Sequence, residues 1–284
     1  MTASAGARGT VLIFWDYDTQ WGADRSRSAG GPKQWGMAEF EHTERLLELH
    51  AQYRVPACFA VVGAAALPGA RPYHDPAQVR RIAAGGHEVA SHAHRHEWLP
   101  GLGRAALVDT LRQSREALED CIGAPVVSFV PPYNQPFDHL GGGAVSWSER
   151  RTAGPDRTDL RRLCEALTET GYRTCRVAYR SLALQAVERL VGRRLDAPRR
   201  IERLAGIICL RLNTAGGFGP DAHRVLERAA HSGGTVVVYG HPHSLGSEGS
   251  QHERLLVPFL RRVRAFADAG RIAVSCPRDL APVA

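Results

Sequence analysis

The sequence predicts an α/β protein: a closed or nearly closed (β/α) barrel of seven or eight parallel strands, with a doubly wound open sheet as the alternative. Three observations lead there. Short apolar or β-branched runs alternate with segments of helical spacing along all 284 residues, which is the pattern of parallel pairing through helical crossovers. There are about as many of these units as a barrel needs, and polar, reactive residues directly follow several of the runs. In a parallel barrel the chemistry sits at the C-terminal ends of the strands.

The first run, TVLIFW at 10–15, is followed by MAEFEHTERLLELHAQY at 37–53, whose apolar residues recur at helical intervals. A second strand at 57–62 (ACFAVV) leads to a helix over 75–84, with Asp75 as N-cap and proline at its first position. Strand 87–91 (HEVAS) is followed by RAALVDTLRQSREALEDC at 104–121, and strand 126–130 (VVSFV) by a helix over 158–169. Strands at 172–177, 207–211, 235–239 (TVVVY) and 272–275 complete the set, with helices at 220–231 and 251–268. Glycines at 85–86 and 270 serve as helix exits. The least regular stretch, 134–157, contains three consecutive glycines and reads as a long active-site loop. The expectation is one domain over 1–284.

Composition narrows the function classes. Hydrophobic content of 44% and charged content of 23% are ordinary for a globular chain, and nothing approaches a run of about 18 apolar residues, so no membrane span is expected. The first ten residues contain no apolar core of the secretory kind, which gives a cytoplasmic expectation. The six cysteines form no C-x-x-C pair and several lie in apolar runs, disfavouring a disulfide framework or a cysteine zinc site. The net charge of +7 comes almost entirely from arginine, Lys33 being the only lysine, and the residues are spread along the chain. The densest run, 192–203, is interrupted by acids and reads as a solvated face or linker, so nucleic-acid binding is not expected. The sequence does not fix an oligomeric state.

Asp16 and Asp18 follow the first run, His92, His94 and His96 the third, PPYNQP the fourth, and His241 and His243 the run at 235–239. Alone, D-x-D is ordinary turn chemistry. Together these residues bring two carboxylates and two histidine clusters to one face. His92 and His96 are four apart, so a helical turn would aim both rings one way and leave His94 in a solvated or supporting position. Asp18 completes a two-histidine, one-carboxylate set with open positions. Such a set suits one divalent metal, zinc first, with cobalt, nickel, manganese or ferrous iron able to use the same donors.

These motifs resemble those of the polysaccharide deacetylases, the family sharing the chitin deacetylase and NodB homology domain. FWDYD is similar to the family's first motif, GGHEVASHAHRH to its second, VPPYN at 130–134 to its third, and VVVYGHPH to its last; ACFAVVG resembles its second strand. The similarity runs from about 10 to 276, in order, and implies a distorted TIM-like barrel. By resemblance Asp16 is the general base, Asp18, His92 and His96 are metal ligands, and His241 is the general acid, with His243 as the alternative. Alanine at 93 replaces the usual Ser or Thr, which is not a ligand. The third motif's arginine falls on Val130, leaving Arg176 or Arg180 to replace it, and the fourth motif has no counterpart.

The implied reaction is metal-assisted amide hydrolysis, removing an N-acetyl group from a soluble N-acetylated amino sugar or glycoside, or from a larger oligosaccharide. Residues expected to meet substrate are Tyr133, Pro132, Trp98, Trp21 and Trp147, with Tyr17 also near the mouth. Two other readings are hydrolysis of a cyclic imide or ureide by the same barrel and metal, and a non-catalytic binding protein.

Overall fold

The structure, a computed structural model, describes residues 9–25, 35–136, 158–178, 182–192, 197–198 and 201–280. In chain order its elements are β1 (Gly9–Tyr17), α1 (Thr19–Arg25), α2 (Gly36–Tyr53), β2 (Cys58–Val61), α3 (Pro76–Ala84), β3 (Glu88–Ser91), α4 (Arg104–Ile122), β4 (Ser128–Phe129) and α5 (Leu160–Glu169). They continue with β5 (Thr174–Val177), α6 (Leu182–Val191), β6 (Glu202–Leu204), β7 (Ile207–Arg211), α7 (Pro220–Ser232), β8 (Gly234–Gly240), α8 (Glu253–Asp268) and β9 (Ile272–Val274). Asp75 caps α3 as expected, accepting from the Gln78 N–H at 2.8 Å.

All the described strands share one sheet, ordered β6-β7-β5-β4-β3-β2-β1-β8, with β9 added beside the start of β1. Every pairing is parallel except β6 against β7. The backbone just past β7 reaches β8: Asn213 N–H donates to the Val237 carbonyl at 3.0 Å, and its side-chain oxygen accepts from Val237 N–H at 2.7 Å. The sheet therefore curls on itself, giving the distorted, mostly parallel barrel that the alternation of runs predicts.

Strand residues alternate between two apolar layers, because successive side chains point to opposite faces. Val11, Ile13, Trp15 and Tyr17 join a core shared with the helices, among them Phe40, Leu46, Leu111, Leu163 and Phe259. Leu12, Phe14, Cys58, Ala60, Ala90, Ile208, Leu210 and Val237 form a second core with no helical residue in it, which is the barrel's inside. Tyr17 thus belongs to the helix-facing layer: it is fully buried, packs edge-on against Phe40 and donates its hydroxyl to Gln78. It is not a mouth residue, contrary to the sequence expectation, and strand parity is the reason.

The stretch 192–203, read as a linker or solvated face, ends in the antiparallel strand β6. Residues 137–157, which hold most of the expected loop and Trp147, lie outside the described residues, as does Arg180.

Candidate active site

Asp16 and Asp18 share the parity of Leu12 and Phe14, so both carboxylates turn toward the barrel's inside as β1 ends. Beyond Asp18 the chain turns sharply through Thr19, which has φ 54°. The buried carboxylate of Glu39, from α2, holds that turn by accepting the backbone N–H groups of Asp18 and Thr19. Glycine is required at 22, where a Cβ would stand 2.5 Å from the Cβ of Asp18.

His92 and His96 meet Asp18 by a different route from the helical turn expected of their spacing. Residues 93–95 form a tight turn; Ala93 within it (φ 61°) and His96 just after it (φ 58°) are left-handed. The two Nε2 atoms lie 3.3 and 3.5 Å from Asp18 Oδ1. His92 Nδ1 is 2.7 Å from the Val130 carbonyl, which can only accept, so the proton sits on Nδ1 and the Nε2 lone pair faces Asp18. His94 is buried, which fits the supporting position of the two the sequence allowed and not the solvated one: its backbone N–H donates to the Thr110 hydroxyl of α4 at 3.3 Å.

Ligand atoms of Asp18, His92 and His96 lie within 4.8 Å of one another and all three residues are buried. Asp18 Oδ1 is buried and has no hydrogen-bond partner among the described residues. An orphaned carboxylate oxygen that faces two imidazole Nε2 atoms, the His92 one presenting its lone pair, is costly unless a cation completes it. The donor set therefore fits a divalent metal.

Asp16 stands beside this set and is clamped by Arg176 of β5, Nη1 to Oδ1 and Nη2 to Oδ2, each at 2.6 Å. Both groups are buried. Burial alone would raise Asp16; the facing guanidinium and its two hydrogen bonds overcome that and keep the carboxyl ionised. Arg176 also donates to Asn134 Oδ1 at 2.9 Å and lies over the Tyr239 ring at 4.4 Å. Of the two arginines weighed for the Val130 departure, Arg176 meets Asp16, while Arg180 lies outside the described residues.

On the other side, His241 follows β8 with the inward parity of Val237 and Tyr239, and its Nε2 lies 3.9 Å from Asp16 Oδ2. His243 is stacked on Trp35 (ring centres 4.2 Å apart, planes at 15°) and is 3.7 Å from Glu39. Burial and the nearby Asp18 charge push the Glu39 carboxyl well above the ordinary range. The cleft between these groups, about 130 Å³, is lined by Asp16, Asp18, His92, His96, Tyr133, Asn134, His241, His243 and Trp35.

Of the residues expected to meet substrate, Tyr133 lines the cleft, edge-on to His96. Pro132 is buried at the start of the same short turn. Trp98 packs behind Tyr133, and Trp21 packs on Tyr73 and His74; neither lines the cleft. Trp35 and Glu39 were missed by the sequence reading because each reaches the site from a position with no strand-end motif, whereas Asn134 lies within the VPPYN motif and was given no role. Five of the seven described non-glycine residues with left-handed φ (Thr19, Ala93, His96, Tyr133 and Asn134) surround this cleft. Such concentration of unfavourable backbone is a mark of functional sites.

Residues 33–140 match the polysaccharide deacetylase family. Over 114 residues, 37% of the chain, the sequence is 33% identical to a chitooligosaccharide deacetylase of Sinorhizobium fredii, and the match spans half of that protein's length. A solved structure from Mycobacterium smegmatis, described as a polysaccharide deacetylase, aligns with a TM-score of 0.63 at 21% identity, covering 99% of this chain and 91% of that one. Puue allantoinase aligns with a TM-score of 0.60 at 14% identity, covering 96% and 89%. The two structures speak for the fold alone. The family match contains His92, His96, Pro132 and Tyr133, whereas Asp16, Asp18, Arg176 and His241 lie outside it and are joined to them by the fold. Over residues 33–140 the chain is thus similar to the polysaccharide deacetylases.

Proposed function

We propose that the protein is a metal-dependent amide hydrolase that removes the acetyl group from an N-acetylated amino sugar or its glycoside. The observation that carries this reading is the orphaned Asp18 oxygen facing two imidazole nitrogens, with an ionised carboxylate and a third imidazole on either side of one cleft. Asp18, His92 and His96 would hold the ion, zinc in the first instance. When bound, it supplies Lewis acidity and a water that ionises near neutral pH.

The remaining work falls to the chain's own groups. Asp16, kept anionic by Arg176, takes a proton from the attacking water. The oxyanion that forms on the acyl carbon is met from the Tyr133 side of the cleft, where the backbone is already fixed in its left-handed turn. His241, on the opposite wall, delivers a proton to the departing amine, which leaves poorly as an anion. A cleft of about 130 Å³ suits an acyl group of acetyl size with the sugar outside it, against Trp35 and Tyr133.

The test begins with metal content. The purified protein should take up a single divalent ion per chain and an Asp18→Ala, His92→Ala double variant should not. The loaded enzyme should release acetate from chitooligosaccharides, and Asp16→Asn or His241→Ala should lower kcat by roughly 10²–10⁴. Hydrolysis of allantoin in place of acetylated sugars would redirect the assignment to cyclic ureides. Failure to bind metal even with zinc supplied would sink the hydrolase reading and leave a binding protein.

A further inference from the structure

His241 is held by a group that no motif signals. Its backbone N–H donates to Gln251 Oε1 at 2.5 Å, and its ring Nδ1 lies 3.1 Å from the same oxygen. The first contact settles the second. A backbone N–H can only donate, so the amide atom facing it is the oxygen and not the nitrogen. An amide oxygen can only accept, so the ring nitrogen facing it carries the hydrogen. The neutral ring is then the Nδ1–H tautomer, and its Nε2 lone pair points across the cleft, 3.9 Å from Asp16.

Gln251 is itself fixed from outside the site. It sits two residues before α8, next to Ser250, whose carbonyl accepts the Phe218 N–H at 2.9 Å and whose hydroxyl donates to the Gly216 carbonyl at 3.2 Å. The loop after β7 thus clasps the segment before α8, and that segment orients the ring after β8.

We propose that Gln251 is a positioning residue whose amide oxygen fixes the tautomer and direction of the His241 ring, so that Nε2 is the nitrogen presented to the leaving amine. The inference rests on the reading of His241 as proton donor. Being uncharged, the amide orients the ring without adding a further carboxylate to Asp16, Asp18 and Glu39.

The experiment is multiple-bond ¹⁵N NMR on the full chain labelled at its 13 histidines, with His241 assigned by its Ala variant. Wild type should show His241 protonated at Nδ1. Gln251→Leu should lose that signature and lower kcat for a chitooligosaccharide about tenfold, with KM unchanged within twofold. Gln251→Glu, which keeps an acceptor at the same place, should restore the Nδ1–H form and most of kcat. A neutral His241 ring with its hydrogen on Nε2 instead of Nδ1 in wild type, or a Leu variant with wild-type spectrum and kcat, would overturn the proposal. If no acetylated sugar is cleaved, the functional reading falls, while the wild-type tautomer and its loss in the Leu variant still decide whether Gln251 orients the ring.

Discussion

Arg176 and Asp16 show how much a single side chain can decide. Arg176 is among the largest fully buried side chains described, and its guanidinium meets a carboxylate that is also out of water. Neither charge tolerates that position alone. Arg176→Met should therefore destabilise the fold by about 3–5 kcal/mol near neutral pH, read by urea unfolding. The pH sign follows from Asp16, whose carboxyl is held below its ordinary range in the folded state. A lowered value contributes stability above the unfolded value of about 3.9, and that contribution is lost as pH falls from there through the lowered folded value. The gap between wild type and variant should then narrow toward acid, where the stranded carboxylate is protonated; a gap that stays constant with pH would refute the pairing argument. Adding Asp16→Asn to the variant should recover much of the loss at neutral pH. At this scale much was legible in the sequence: Asp16, Asp18, His92, His96 and His241 could be picked out because each follows a strand. Tyr17 was misread although its position one residue from Asp16 puts it on the other face. Glu39, Trp35 and Gln251 left no such trace, since they reach the cleft through tertiary packing.

Among the elements, the helices and strands read from periodicity recur with ends shifted by a few residues at most, and β4 shrinks to Ser128–Phe129. The sequence reading left out α1 and β6, with seven and three residues too short for a repeat to register, and also the ten-residue α6. The turn carrying His92 and His96 is also invisible to spacing, because a four-residue separation fits a helical turn and a left-handed turn alike. The loop between β7 and α7 shows what such irregular pieces do. Gly217 there has φ 87°, and a Cβ on it would stand 2.4 Å from the Ser250 carbonyl oxygen. Gly217→Ala should cost about 1–2 kcal/mol from backbone strain, with displacement of Ser250 in addition. Because Ser250 precedes Gln251, the same variant should lower kcat while leaving metal uptake intact, since Asp18, His92 and His96 come from β1 and the turn after β3. Metal content and acetate release measured on one preparation separate the two effects; loss of metal in step with activity would show that the clasp supports more than His241.

The whole barrel has two polar ends with different duties. The C-terminal end gathers the strained turns, the candidate metal set of Asp18, His92 and His96, and the groups proposed above to move protons. The N-terminal end carries Glu88, at the first position of β3, whose carboxylate accepts from Ser128 on β4 and from the Arg278 N–H at 2.9 Å. Ser128 in turn accepts from Thr174 on β5 at 2.8 Å. One buried carboxyl thereby links three neighbouring strands to the C-terminal turn. Burial is the leading influence on it and raises its pKa from 4.5 to about 7, against the opposing hydrogen bonds from Arg278 and Ser128. In barrels of this kind the N-terminal end serves stability rather than chemistry. A raised folded value means that Glu88 is tolerated best when protonated. Its favourable contribution is complete below about 4.5 and is lost as pH climbs through about 7. Between 4.5 and about 7, at about 1.4 kcal/mol per pH unit, the difference reaches up to about 3 kcal/mol. Glu88→Gln keeps the shape and removes the ionisation. Its unfolding free energy should exceed that of wild type by about 2–3 kcal/mol at pH 8 and converge with it by pH 4.5. Acetate release should be unchanged, because Glu88 lies at the end of the barrel away from the cleft. Urea unfolding of both proteins across that pH range is the check. A Gln variant less stable than wild type at pH 8 would mean that the charged carboxylate is the form the strands hold.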